Sequence, residues 1–86
     1  MENTDTRVAQ IGIVVEDPDS GEKLNALLHR YGEYIIGRMG VPYKPKNVNI
    51  ISIAIDAPED AINALSGKIG KLDGVSSKIA YSNVKG

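Results

Sequence analysis

In two segments of the chain, side chains at odd and even positions form two regular sets, one for each face of a strand, and both segments therefore predict strands. In residues 7–16, apolar side chains occupy every second position, as a strand with one well-buried face requires. In residues 47–56, both alternating sets are rich in apolar residues, which again predicts a strand. The better-buried face of these two strands is assigned to Ala9, Ile11, Ile13, Val15, Ile51, Ile53 and Ile55.

Three further segments are less regular. Residues 34–40 predict a second strand, although two glycines within it indicate a bulge or a close backbone approach. Residues 41–46 contain two prolines and predict a turn or an extended loop rather than a helix. Residues 75–81 predict the last strand, directly after the turn signal Asp73-Gly74.

Between the strands, apolar side chains recur three or four positions apart, which is the spacing of one face of a helix. Residues 17–21 end the first strand, and Asp19 and Glu22 have the spacing of a capping box that would begin the first helix. Pro58 stands where the first turn of a second helix accepts proline. The two apolar stripes are Leu24, Leu27, Leu28 and Tyr31, followed by Ile62, Leu65, Ile69 and Leu72.

The order of elements is therefore β-α-β-β-α-β with short connections. This order predicts an α+β domain of the ferredoxin-like type, with an antiparallel four-stranded sheet and both helices on one face. Right-handed crossovers place the first and third strands at the centre of the sheet and the other two at its edges. The domain is expected to span residues 7–86, after a disordered tail at residues 1–6.

Because the helices cover only one face of the sheet, the opposite face is predicted to be too apolar to stay in water. A flat patch of small and β-branched side chains is typical of a protein–protein surface, so we expect a dimer or tetramer. The alternatives are that a terminal segment folds over this face or that an edge strand pairs with another chain. The residues predicted for the interface are Val8, Gln10, Gly12, Val14, Val48, Ile50, Ser52 and Ala54.

Composition narrows the function classes. The 86 residues contain no cysteine, which excludes disulfides, thiol catalysis and cysteine-ligated zinc or iron–sulfur sites. A net charge of −1 argues against direct nucleic-acid binding, which uses a basic face. No secretory signal is visible, and no apolar run approaches the roughly 20 residues that span a bilayer. We therefore expect a cytoplasmic protein that does not bind membranes.

Acidic side chains gather where the first strand meets the first helix, at Glu16, Asp17, Asp19 and Glu22. Their spacing is not that of a calcium loop, and the helix dipole explains carboxylates at this position without a metal. The single histidine, His29, lacks partners at ligand spacing and is interpreted as a solvated or capping residue. We expect no metal, no cofactor and no enzymatic centre.

Residues 34–55 contain no acidic residue, whereas Arg38, Lys44 and Lys46 concentrate positive charge there. An arginine between glycines, followed by a Pro-Tyr loop, could bind an anion or a partner's carboxylate through two hydrogen bonds. The alternative is that the cations protect an edge strand from aggregation. Both interpretations remain open at this point.

The motifs IGIVVED, LLHRYGEYIIGRMGVPY and NIISIAIDAPEDAINALSGKIGKLDGV together resemble a known family. This is the family of small ACT-like proteins proposed as regulators of the iron-only hydrogenase system in anaerobic bacteria. The likeness covers about residues 7–81, and its most specific parts are residues 31–32, 35–43, 65–70 and 74–75.

The resemblance implies an ACT-like fold, an oligomer and a role in regulating or assembling an iron hydrogenase system. It also implies a more distant similarity to the C-terminal domain of nickel-responsive repressors, which follows a ribbon-helix-helix DNA reader. Six residues before Arg7 leave no room for such a reader, and one histidine without cysteine does not match the nickel site. We therefore expect neither DNA binding nor nickel sensing.

The predicted function is a non-enzymatic regulatory or ligand-sensing module that self-associates and acts through a hydrogenase-system protein or a small effector. The alternative is an accessory or scaffold protein of hydrogenase maturation that senses no effector. The residues predicted to contact the effector or partner are Arg38, Tyr43 and Lys44, with Asp17, Asp19 and Gly21 from a second loop.

Overall fold

The computed structural model describes residues 5–84, in which two helices pack against one face of a four-stranded antiparallel sheet. The strand order β2-β3-β1-β4 places β1 and β3 at the centre, as the crossover rule predicts. The ferredoxin-like α+β fold is thus confirmed, whereas most of the expected tail, residues 1–4, lies outside the described residues. The elements are β1 (Arg7–Val15), α1 (Gly21–Arg30), β2 (Ile35–Tyr43), β3 (Val48–Ala57), α2 (Glu59–Gly70) and β4 (Val75–Tyr81).

The core lies between the helices and one face of the two central strands. Ile11 of β1 is directly opposite Ile53 of β3, and both side chains are completely buried. Ile62 and Leu65 of α2 are buried to the same extent, so the predicted apolar stripe of this helix does face the sheet. The remaining buried apolar residues are Ala9, Ile13, Val15, Leu24, Leu27, Leu28, Ile51, Ile55, Ala57 and Ile69.

The connection between β1 and α1 is tied to the turn before β4. The Ser20 hydroxyl donates to the Asp73 carbonyl at 2.6 Å, and the Glu16 amide donates to the Gly74 carbonyl at 2.7 Å. Gly74 has a φ of 67°, and a Cβ atom there would lie 2.5 Å from the Cβ of Asp17. Only glycine fits this position without strain, because the left-handed conformation and the close approach both disfavour a side chain.

The predicted capping box of Asp19 and Glu22 is wrong. The Asp17 carboxylate instead accepts from the Asp19 amide at 2.9 Å and caps a single 3-10 turn, Pro18–Ser20. That turn shifts the start of α1 to Gly21, and Ser20 becomes its N-cap residue without a side-chain capping bond.

Strand β2 is longer than the sequence predicted. It runs to Tyr43, so the turn expected over residues 41–46 shrinks to the 3-10 turn Lys44–Lys46. Pro42 is tolerated opposite Asn49 because β2 is an edge strand, where a missing N–H costs little. The predicted bulge is confirmed, since the register shifts at Ile36.

Candidate functional site

The sheet face away from the helices carries a continuous apolar surface, here called the open face. Strand register places Val14, Ile50 and Val41 in one row across β1, β3 and β2. Ile50 is 47% exposed and Met39 62% exposed, although both lie within paired strands. The open face comprises the predicted residues Val8, Gln10, Gly12, Val14, Val48, Ile50, Ser52 and Ala54, together with Met39 and Val41 from β2.

The open face also carries polar groups, at Gln10 and Ser52 on the central strands, at Asp56 near the end of β3 and along β4. The Gln10 side-chain amide donates to the Ser52 hydroxyl at 2.9 Å, so these two groups satisfy each other. Beyond β1, strand β4 presents Ser76, Lys78 and Ala80 opposite Val14, Gly12 and Gln10. The open face is therefore apolar towards β2 and polar towards β4. Near its centre, a Cβ atom added to Gly12 would meet nothing within 4 Å, which leaves space for a close approach.

The described parts of the two termini do not cover this face. After β4 the chain continues beside β1, where the Ser82 amide donates to the Val8 carbonyl at 2.9 Å. Val84 is 72% exposed, and Val8 itself remains 40% exposed. No segment of residues 5–84 therefore packs over the open face.

A small hollow of about 80 Å³ lies at the end of the sheet, beside the open face. It brings the predicted contact residues Tyr43 and Lys44 next to Pro18, which belongs to the predicted second loop. Its volume of about 80 Å³ is below the roughly 300–1,000 Å³ of ordinary small-molecule sites, so the hollow is too small to enclose such a ligand by itself. The hollow is lined by Val15, Pro18, Pro42, Tyr43, Lys44, Asn47, Val48 and Asn49.

The structure separates Arg38 from Tyr43 and Lys44. Arg38 lies opposite Ile53, on the helix side of the sheet, and its guanidinium donates to the side-chain oxygen of Asn25 on α1. Tyr43 lies opposite Val48, which places it on the open face. The three residues predicted as one contact group therefore do not form one site.

The second predicted loop is held by its own contacts. Asp17 is engaged in capping the 3-10 turn, Asp19 is exposed, and Gly21 begins α1. His29 is exposed in the last turn of α1. Among residues 5–84, no three acidic or histidine side chains converge as a metal site would require. No helix in that part of the chain has the length and apolarity to cross a membrane.

Comparison with known proteins assigns the chain to a family. Residues 7–79 match the TM1266-like family model, described as a proposed iron-only hydrogenase system regulator. The chain belongs to this family. This chain is similar in structure to the uncharacterized protein TM1266 from Thermotoga maritima, with 35% sequence identity and a TM-score of 0.85. That match covers 88% of this chain and 96% of the Thermotoga chain.

Two more distant structures share the fold of this TM1266-like chain. The C-terminal domain of MgtC from Mycobacterium tuberculosis has 10% identity and a TM-score of 0.72, covering 95% of this chain and 94% of its own. The ACT domain of GTP pyrophosphokinase from Chlorobium tepidum has 18% identity and a TM-score of 0.61, covering 92% and 89%. The fold is therefore ACT-like. No curated protein matches the chain.

Proposed function

We propose that this TM1266-like protein is a non-enzymatic regulatory module of the iron-only hydrogenase system that self-associates through its open face. The open face supports the proposal, because it is a continuous apolar surface that the helices leave uncovered. Fully burying a side chain the size of valine, isoleucine or methionine contributes about 1.5–3 kcal/mol. Val8, Met39, Val41 and Ile50 keep between 40% and 62% of their surface exposed, so a second copy has substantial area to bury.

The effector site is proposed at the edge of this interface. Tyr43 and Val48 line the hollow and also continue the open face, so a second copy docked there would deepen the hollow. Lys44 supplies a positive charge for an anionic group of the effector, and Pro18, flanked by Asp17 and Asp19, forms the opposite wall near Gly21. Arg38 is assigned to a protein partner instead, because its guanidinium is exposed on the helix side and its described bond is to a neutral amide.

A second function remains a candidate because the hollow is small. With about 80 Å³ in one chain, the loops suit a contact with a maturation protein as well as a ligand. In that case the module is an accessory protein that holds its partner and senses no effector. The two functions differ in whether a small molecule stabilises the assembled protein.

Self-association is tested by light scattering on the purified chain and on Ile50→Lys. We expect a dimer or tetramer at micromolar concentration, and association at least about 100-fold weaker in the variant because a buried unpaired ammonium is costly. Ala64→Lys is the control, since Ala64 is exposed on α2, on the other side of the sheet, and receives the same added charge. A monomeric parent protein, or an intact assembly in Ile50→Lys, would contradict the proposed interface.

Effector sensing is tested by thermal unfolding in the presence of amino acids and nucleotides. A ligand that binds only the folded state raises the melting temperature as its concentration rises. We expect such a rise with at least one anionic compound, and a smaller rise in Lys44→Ala than in the parent. An intact assembly that no compound stabilises would favour the accessory function.

A further inference from the structure

A second feature lies on the other side of the molecule, between the outer surfaces of α1 and α2. Here α1, α2 and the residues after α2 border an open groove of about 390 Å³, which falls within the size range of binding sites. Four of its seven lining residues are cations, and the other three are apolar. The lining residues are Lys23, Ala26, Leu27, Arg30, Lys68, Lys71 and Leu72.

The α1 side of the groove follows helical geometry. Lys23, Ala26, Leu27 and Arg30 have the spacing i, i+3, i+4, i+7, which places them on one face of the helix. Leu27 is shared between this face and the core, and it is only 9% exposed. Arg30 lies in the last turn of α1, where a cation also complements the helix dipole. Lys23 lies in the first half of the same helix and gains no such stabilisation, so the dipole does not account for the whole charge of this face.

The charges of the groove are not neutralised within the described chain. Over residues 5–84, none of the four cations forms an ion pair, whereas Arg7 pairs with Glu59 elsewhere on the surface at 3.4 Å. Lys68 is positioned by a neutral group, because its ammonium donates to the Tyr31 hydroxyl at 3.1 Å and lies 5.4 Å from the ring centroid. In a chain with a net charge of −1, this groove is a local concentration of unpaired positive charge.

The apolar residues decide which anion fits. The walls are the sides of helices, whose backbone N–H groups are already bonded, so they do not offer the backbone cradle typical of phosphate sites. Lysine and arginine instead extend flexible apolar stems along a floor formed by Leu27 and Leu72. This combination matches an amphipathic segment whose apolar side chains contact the floor while its carboxylates reach the cations.

We propose that the groove binds an acidic amphipathic segment of a partner protein. The apolar face of that segment lies on Leu27 and Leu72, and its carboxylates pair with Arg30 on one wall and Lys71 on the other. Removal of the mutual repulsion among the cations adds to the affinity. The groove lies on the helix side of the sheet, so this binding does not require self-association through the open face.

The test uses the full chain and a fluorescein-labelled helical peptide of about 14 residues, the length of a typical groove-binding helix. The peptide carries leucine at i, i+3, i+4 and i+7, with glutamate on both sides of that stripe. Fluorescence anisotropy should show saturable binding that weakens about tenfold or more between about 50 and about 500 mM salt, because exposed charges are screened. A peptide of the same composition with a scrambled order should bind at least about fivefold more weakly.

Variants locate the binding site. Arg30→Glu and Lys71→Glu should each weaken peptide binding about fivefold or more, because each reverses a charge beside the carboxylates. Lys46→Glu changes the net charge equally but lies outside the groove, so its effect should stay below about twofold. Circular dichroism checks that the variants fold. The single variants Arg30→Gln and Lys71→Gln repeat the test by removing each charge without reversing it.

Three outcomes would overturn the proposal. Equal weakening by Lys46→Glu and by the groove variants would show non-specific attraction by charge. Equal binding of the ordered and scrambled peptides would show that the apolar floor does not recognise the peptide. Groove-dependent binding of ATP or of vesicles containing phosphatidylserine, without binding of the acidic peptide, would identify a different occupant.

Discussion

The two faces of the sheet are built by the same two central strands and have opposite surroundings. On the helix side, Ile11 and Ile53 face each other and are completely buried. On the open side, Val14 and Ile50 face each other three positions further along the same strands, and Ile50 is 47% exposed. The side chains are of the same kind, so the difference arises from what covers them rather than from the strands.

This contrast shows which part of the apolar pattern folding explains. The helix-side residues are required by the core, because α1 and α2 contact them. The open-face residues receive no cover from residues 5–84, yet they include Val8, Met39 and Val41 in addition to Ile50. An exposed apolar surface of this kind is typical of protein–protein contacts, and this is the physical basis of the proposed self-association.

The largest expected effect compares two isoleucines of the same strand. Ile53→Ala should lower the free energy of unfolding by about 3 kcal/mol, because it leaves a cavity among fully buried side chains. Ile50→Ala should cost less than about 1 kcal/mol in dilute solution, because its side chain is already half exposed. Urea unfolding at submicromolar protein concentration measures both values.

The same pair tests the self-association at higher concentration. Stability that includes an assembly rises with protein concentration, whereas the stability of a protomer does not. The loss in free energy of unfolding caused by Ile50→Ala should therefore grow with protein concentration. The loss caused by Ile53→Ala should be present at all concentrations, because it arises within the protomer. An equally large and concentration-independent cost for both would mean that the open face is buried within its own chain.

Much of this contrast could be predicted from the sequence, because the two central strands alternate regularly. Period two alone assigned Ile53 to one face and Ile50 to the other, and the register confirms that assignment. Val41 was missed because the prolines around Tyr43 indicated a loop, whereas an edge strand tolerates Pro42. Met39 lay within the predicted strand, but the irregular pattern there assigned it to neither face. Arg38 and Tyr43 were grouped because both belong to the cationic segment 34–55, but one continuous strand with an odd spacing places them on opposite faces.

The groove between the helices could be predicted only in part. The spacing of Lys23 and Arg30 on one face of α1 is visible in the sequence. Their proximity to Lys68 and Lys71 is not, because it depends on how α2 packs beside α1 on the sheet. Local periodicity assigns residues to faces, whereas only tertiary packing determines which faces meet.

An intermediate effect is expected from Gly12→Val on the open face. Valine has the higher strand propensity, and a Cβ atom added at Gly12 meets nothing within 4 Å, so protomer stability should rise by up to about 1 kcal/mol. Association should weaken, because the larger side chain prevents close approach of a second sheet. Gly40→Val is the control, since Gly40 is equally open but lies opposite Ile51 on the helix side.

These two valine variants separate the properties of the protomer from those of the interface. Thermal unfolding of dilute protein should show both at or above the parent's stability, and light scattering should show weaker association for Gly12→Val alone. If Gly12→Val associates as tightly as the parent, the second copy does not approach the centre of the open face, and an edge strand becomes the better candidate.

The smallest effect concerns the hydrogen bond between Gln10 and Ser52. In the protomer this bond is exposed, so Gln10→Ala should change the free energy of unfolding by less than about 0.5 kcal/mol. In an assembly that covers the open face, the same change leaves the Ser52 hydroxyl buried without its partner, which costs about 1–3 kcal/mol. Association measured by light scattering over a dilution series should therefore weaken at least about fivefold.

The double variant Gln10→Ala, Ser52→Ala decides between a covered and an uncovered face. Removing both polar groups leaves no unsatisfied hydroxyl, so association should recover most of what Gln10→Ala alone lost. An uncovered face predicts no loss in the single variant and no recovery in the double variant, because water then satisfies Ser52 in both. Weaker association in Gln10→Ala that Ser52→Ala restores would thus show that water does not reach the centre of the sheet in the assembled protein.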